Sequence, residues 1–192
     1  GIVVMALSGV DLALWDLRGK SRMTPVAELL APGTDWNRPL PTYATVFDDA
    51  DAESAYSAGH HALKLHVERF GDRPKGAEIA QLVSRVRERL GMGAMVMIDA
   101  FGRWDLETTR RVADSVAEYE VAWLEEPLRP DDLDGYGQLV ADCPVPIAGG
   151  EHEYTTAGFR ELIDRRLYAV LQPDINWCGG LTTLCEIYEL AQ

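Results

Sequence analysis

Four acids stand where apolar runs end. Met95-Val96-Met97-Ile98 runs into Asp99, Val121-Ala122-Trp123-Leu124 into Glu125, and Pro146-Ile147-Ala148-Gly149-Gly150 into Glu151. Val170-Leu171-Gln172-Pro173 runs into Asp174. Asp99 and Glu125 are 26 residues apart, Glu125 and Glu151 another 26, and Glu151 and Asp174 23. Each interval fits one strand-helix repeat. In a closed parallel barrel, successive strand ends are neighbours on the C-terminal rim, where such enzymes place their chemistry. Converging carboxylates repel unless positive charge sits between them. Oxygen ligands alone, with positions left for water and substrate, suit Mg²⁺. A single acid at a strand end also serves as the N-cap of the next helix or as a solvated loop residue. The equal spacing therefore carries the metal reading, and Gly149-Gly150 allows close backbone approach just before Glu151.

The elements that must position these acids are legible as a rhythm. Strands are expected at 42–46, 62–66, 94–99, 121–125, 145–148 and 169–174. Helical patterns lie near 50–58, 76–90, 105–119, 131–141 and 155–165, with another from Leu181. Asp105, Asp131 and Thr155 are plausible N-caps. Residues 2–19 read as a helix with an apolar stripe of Val3, Leu7, Val10, Leu14, Trp15 and Leu17. Thr24-Pro25 reads as a cap followed by proline in the first turn of a short helix. Strands alternating with helices, most of them apolar on both faces, indicate βαβ units and a parallel sheet, either a barrel or a doubly wound sheet. Residues 67–75 form the one long polar insertion, a loop after the second strand.

The chain carries 31 acids against 18 bases, a net charge of −13, which argues against a nucleic-acid partner. No apolar run reaches the roughly 18 residues of a membrane span. The 47% hydrophobic content supports a packed core and excludes a disordered or collagen-like chain. Three cysteines, an odd count, fit a reducing cytoplasm better than a disulfide framework. The chain opens in an apolar stretch at Gly1 and stops at Gln192 inside a helical pattern, so it reads as a piece of a longer protein.

At its motifs the sequence resembles the enolase superfamily, in the mandelate racemase/muconate lactonizing branch. Val10-Asp11-Leu12-Ala13-Leu14-Trp15-Asp16-Leu17 is similar to the helix leading into the barrel. Trp123-Leu124-Glu125-Glu126-Pro127 and Gly149-Gly150-Glu151-His152 are similar to the fourth- and fifth-strand metal signatures. The stretch Leu171 to Leu184, with Trp177-Cys178-Gly179-Gly180-Leu181-Thr182-Thr183-Leu184 at its end, resembles the acid-sugar dehydratases, the L-rhamnonate dehydratase group in particular.

The resemblance implies an α/β fold: a partial (β/α)8 TIM-type barrel of about six βα units. Residues 1–40 would be a helical lead-in and 41–192 the partial catalytic barrel. It implies Asp99, Glu125 and Glu151 as Mg²⁺ ligands and Asp174 as the carboxylate of a His-Asp dyad. Lys64 stands where the branch often has a Lys-x-Lys pair; the second lysine is replaced by His66. Lys64 then either touches a substrate carboxylate or is a snorkelling strand-end lysine. His66 is a ligand contact, a second-layer donor or a loop residue. His152 either donates to substrate, orients Glu151, or is a buried, satisfied histidine. Trp104, Trp177 and Cys178 read as packing residues.

The implied activity is dehydration of a sugar acid, an aldonate such as L-rhamnonate, to a 2-keto-3-deoxy acid through an enediolate. The partners would be that small molecule and, in the longer protein, further copies of the chain, with no nucleic acid and no membrane. The dyad histidine would fall roughly 25 residues after Asp174, near position 200. It, two further strands and almost all of the N-terminal capping domain are expected to lie outside the chain, which is expected to be inactive alone. Racemase, epimerase or cycloisomerase chemistry on the same scaffold is one alternative; a non-catalytic chain is another.

Overall fold

A computed structural model describes residues 1–192, which divide into two compact units. One comprises residues 42–149 and 165–171, the other residues 1–41, 150–164 and 172–192.

The first unit holds the sheet. Its strands are β1 (Ala44–Val46), β2 (Ala62–His66), β3 (Met95–Asp99), β4 (Leu124–Glu125), β5 (Ile147–Gly149) and β6 (Val170–Leu171). All pairings are parallel and the order is β1-β2-β3-β4-β5-β6. Sequential order is the winding of a (β/α) barrel and differs from that of a doubly wound sheet, whose order reverses midway. One face is a row of aliphatics: Leu65 pairs with Ile98, Ile98 with Leu124, and Leu124 with Ile147, each at most 2% exposed. Burial on both faces explains why the strands lack a polar-apolar alternation.

Helices α3 (Asp49–Ser57), α4 (Gly76–Leu90), α5 (Leu106–Val116) and α6 (Leu133–Leu139) follow the first four strands. The Asp48 carboxylate accepts the Ala50 and Asp51 amides of α3. Asp105 accepts the Thr108 amide at 2.8 Å, the cap read from the sequence. At α6 the cap is Asp132, which takes the Gly135 amide at 2.9 Å, and not Asp131. Asp131 is engaged elsewhere, in two 3.0 Å bonds from Arg129. The 67–75 segment contains a short 3-10 turn (Glu68–Phe70), and Arg103 ties it down through Glu68 and Asp72 at 2.8 and 2.6 Å.

Strands β4 and β6 are shorter than the apolar runs suggest. In β6 Pro173 has no amide to donate, and Asp174 already turns, its carboxylate accepting the Asn176 amide at 2.6 Å.

The second unit contains α1 (Ile2–Arg22), α2 (Val26–Leu30), α7 (Thr155–Asp164) and α8 (Leu181–Leu190). Pro25, with no side-chain cap, precedes α2, and Thr24 donates back to the Arg22 carbonyl, so the expected threonine cap does not form. The apolar stripe of α1 is largely outward: Val3, Leu7, Val10, Leu14 and Leu17 are each more than half exposed. Its contact with α8 runs through polar groups. Asp11 accepts the Thr182 amide and hydroxyl at 3.0 and 2.6 Å, Ser8 Oγ accepts the Gly179 amide at 3.0 Å, and the Trp15 indole donates to Thr182 Oγ1 at 2.9 Å. Asp11 thus supplies the carboxylate at the α8 N-terminus, where a helix favours negative charge. Gly180, at φ +92°, leaves room for it: a Cβ there would lie 2.5 Å from Asp11 Oδ2. The three cysteines are free, and no helix is long and apolar enough to cross a membrane.

Candidate metal centre

Parallel register aligns the chemistry. His66 pairs with Asp99 and Asp99 with Glu125, so three ionisable side chains share one row at the C-terminal ends of β2, β3 and β4. Lys64, two residues before His66, projects from the same face. The ladder continues past the acids, with the Val67 amide on the Asp99 carbonyl and the Ala100 amide on the Glu125 carbonyl, both at 3.0 Å. That continuation holds the backbone of both acids.

Lys64 Nζ donates to Glu125 Oε1 at 2.7 Å and lies 3.2 Å from Asp99 Oδ2. All three residues are buried. Burial works to lower the Lys64 pKa, but the hydrogen bond to Glu125 and the charges of Asp99 and Glu125 outweigh it and hold the ammonium above its ordinary value. Asp99 Oδ1 accepts the Phe101 amide at 3.0 Å, and the Trp123 indole reaches Glu125 Oε2 at 3.3 Å. His66 places Nδ1 at 3.2 Å from Asp99 Oδ2 and Nε2 at 3.4 Å from Glu68 Oε2, between the edges of Phe47 and Phe101. Two buried carboxylates sharing one ammonium define a place for positive charge. Their all-oxygen donor set fits a hard divalent cation.

Glu151, His152 and Asp174 belong to the other unit. Glu151 and His152 lie in the turn after β5, partly exposed, with 3.7 Å between Glu151 Oε1 and His152 Nδ1. His152 packs edge-on against Trp177, which also stacks on Tyr154, so Trp177 acts as packing around the histidine. Cys178 is buried, and burial pushes its thiol up, away from nucleophilic use. Trp104 is buried, as read.

Tyr43 and Glu68 carry no sequence signal of their own, and Glu126 stands within the Trp123–Pro127 motif with no role assigned to it there. Tyr43 offers its ring to Lys64 at 5.4 Å and meets Trp123 edge-to-face. Glu68 faces His66 from within a charge-rich loop. Glu126 is 1% exposed at φ +36°, and its carbonyl accepts the Gly102 amide at 2.6 Å.

The need for Gly149 is packing. A Cβ there would lie 2.8 Å from the Tyr168 ring and 3.2 Å from Glu126 Cγ. Gly149→Ala is expected to cost about 1–3 kcal/mol. Gly93→Ala, where a Cβ meets nothing within 4 Å, is the reference. Urea melts showing equal stability for both variants would contradict this account.

Residues 48–192 match the family described as enolase C-terminal domain-like, and residues 2–31 match the mandelate racemase/muconate lactonizing enzyme N-terminal domain. The chain belongs to the enolase superfamily, in its mandelate racemase/muconate lactonizing branch. Its α/β sheet is part of the (β/α)8 barrel of that fold. An L-rhamnonate dehydratase of Saccharopolyspora erythraea is 41% identical over all of this chain and 49% of its own length. The 3,6-anhydro-D-galactonate cycloisomerase of Zobellia galactanivorans superposes with a TM-score of 0.90 at 33% identity, over all of this chain and 54% of that one. A racemase of Streptomyces coelicolor A3(2), solved with bound magnesium, gives 0.88 at 34% identity, over all of this chain and 57% of that one. The chain therefore spans about half the length of these relatives.

Proposed function

We propose that the intact protein is a Mg²⁺-dependent dehydratase of a sugar acid, an aldonate such as L-rhamnonate, giving a 2-keto-3-deoxy acid through an enediolate. The observation that carries the proposal is the buried pair Asp99 and Glu125, on adjacent strand ends, converging on one positive charge. The 41% identical L-rhamnonate dehydratase supports the substrate class, and the magnesium in the related racemase structure supports the ion.

Asp99 and Glu125 would hold the ion. When bound, it supplies positive charge that offsets the negative charge gathering on the substrate carboxylate as the α-proton leaves. Asp174 would orient and strengthen the imidazole that takes this proton, and the Asn176 amide already holds its carboxylate in place. Lys64 would pair with the substrate carboxylate, and His66, with one ring nitrogen toward Asp99 and the other toward Glu68, would position Asp99. The 3-hydroxyl then departs as water, taking a proton from the imidazolium formed when the α-proton was removed, and the enol tautomerises. The free cysteines support a cytoplasmic setting.

The test is an assay of the intact protein with Mg²⁺ on an aldonate panel that includes L-rhamnonate, scored for 2-keto acid. Formation of the keto acid, lost with chelator, is expected; no product from any aldonate would sink the dehydratase reading. The cycloisomerase at a TM-score of 0.90 favours one rival, isomerisation on the same scaffold. Deuterium entering from solvent without loss of water would select it.

A further inference from the structure

We infer that the Lys64 ammonium is a built-in counter-cation of this centre: it neutralises Asp99 and Glu125 in the metal-free protein and must leave them when a divalent ion arrives. The inference rests on the reading of Asp99 and Glu125 as magnesium ligands. Its basis is geometric. Lys64 Nζ bonds Glu125 Oε1 at 2.7 Å and Asp99 Oδ2 at 3.2 Å, with the lysine and aspartate side chains 11% exposed and the glutamate 3%. Two carboxylates on neighbouring strands, removed from water, are stable as a charged pair only with a cation between them. In this structure the chain itself supplies that cation, through oxygens a divalent ion would need.

A second place for the displaced ammonium is at hand. Lys64 Nζ is 5.4 Å from the centre of the Tyr43 ring, which packs on Trp123, and Trp123 in turn bonds Glu125. The lysine stem is flexible, and an aromatic face attracts an ammonium. Movement away from the acids can keep the ring contact that Nζ already has, and it frees the ammonium for an anionic group at the same strand ends. Two consequences follow. The ion binds more weakly than the acid pair alone would allow. A substrate carboxylate that takes up the released ammonium strengthens ion binding, and the ion strengthens substrate binding by the same factor.

The experiment is Mg²⁺ titration calorimetry of the intact protein and its Lys64→Met variant, with thermal melts of both without metal. Methionine keeps the stem's apolar volume and removes the charge. The variant is expected to bind Mg²⁺ about tenfold more tightly or better while melting lower without metal. A purely structural lysine would lower the melt and leave ion binding unchanged or weaker, and that result overturns the inference. Should the variant not fold, the wild type decides. Amine acetylation read by peptide mass spectrometry is expected to modify Lys64 several-fold faster with Mg²⁺ than without, and equal rates would refute displacement. Failure of both proteins to bind Mg²⁺ would instead remove the metal centre itself, and this inference with it.

Discussion

Glu125→Gln is expected to weaken Mg²⁺ binding by the intact protein more than about a hundredfold, beyond the loss typical of removing a partner outside the ligand set. Turnover of the proposed sugar-acid substrate should fall with it. Glutamine preserves shape, and its amide oxygen can still accept from Lys64, so the fold should survive. What disappears is one of the two buried negative charges that make the place cation-binding. Calorimetry gives the affinity and circular dichroism the fold. Glu107→Gln, at a side chain 90% exposed and 3.7 Å from Arg111, serves as the comparison and should bind the ion as wild type does. A folded Glu125→Gln variant within a few-fold of wild-type affinity would mean the ion, if bound, sits elsewhere.

The second large effect concerns stability. Arg87 lies buried in α4 and donates to four backbone carbonyls: Tyr119 at 2.9 Å, Glu120 at 3.1 Å, Gly91 at 3.2 Å and Ala94 at 2.5 Å. It joins the end of α4, the approach to β3 and the turn after α5. Those segments set where β3 begins, and β3 ends in Asp99. Arg87→Met keeps the apolar stem but leaves carbonyls without donors, the Ala94 one in a fully buried bond. The expected loss is about 3–5 kcal/mol, from charge-assisted bonds and stranded acceptors together. Urea unfolding would check it, and a loss under about 1 kcal/mol would show that water replaces the guanidinium at little cost.

Much of the arrangement is local and therefore legible in order along the chain. Val96, Ile98 and Leu124 mark strands because residues buried on both faces must be apolar there. Asp105 marks a helix start because its carboxylate answers an amide three residues on. Asp99 and Glu125 stand out because an acid has no packing reason to end an apolar strand. The misplaced caps show the limit of the same logic. Asp131 and Asp132 are indistinguishable by type, and only the backbone path shows that Asp132, which takes the Gly135 amide, caps α6. The α1 stripe shows another. Periodicity establishes a helix with an apolar face, but Ser8, Asp11 and Trp15, on another part of its surface, make the bonds to α8.

The sequence by itself determined the element order, the parallel α/β class and the position of Asp99 and Glu125 at strand ends, because propensity, capping and burial act over a few residues. Only the tertiary structure decided their company. Register set His66 beside Asp99 and Asp99 beside Glu125, and it carried Lys64 into the space between the acids. Whether a lysine is a solvated strand end or a buried counter-charge depends on the strands beside it. That information comes from pairing between segments distant in sequence, where the low dielectric of a shared interior makes a 2.7 Å contact matter.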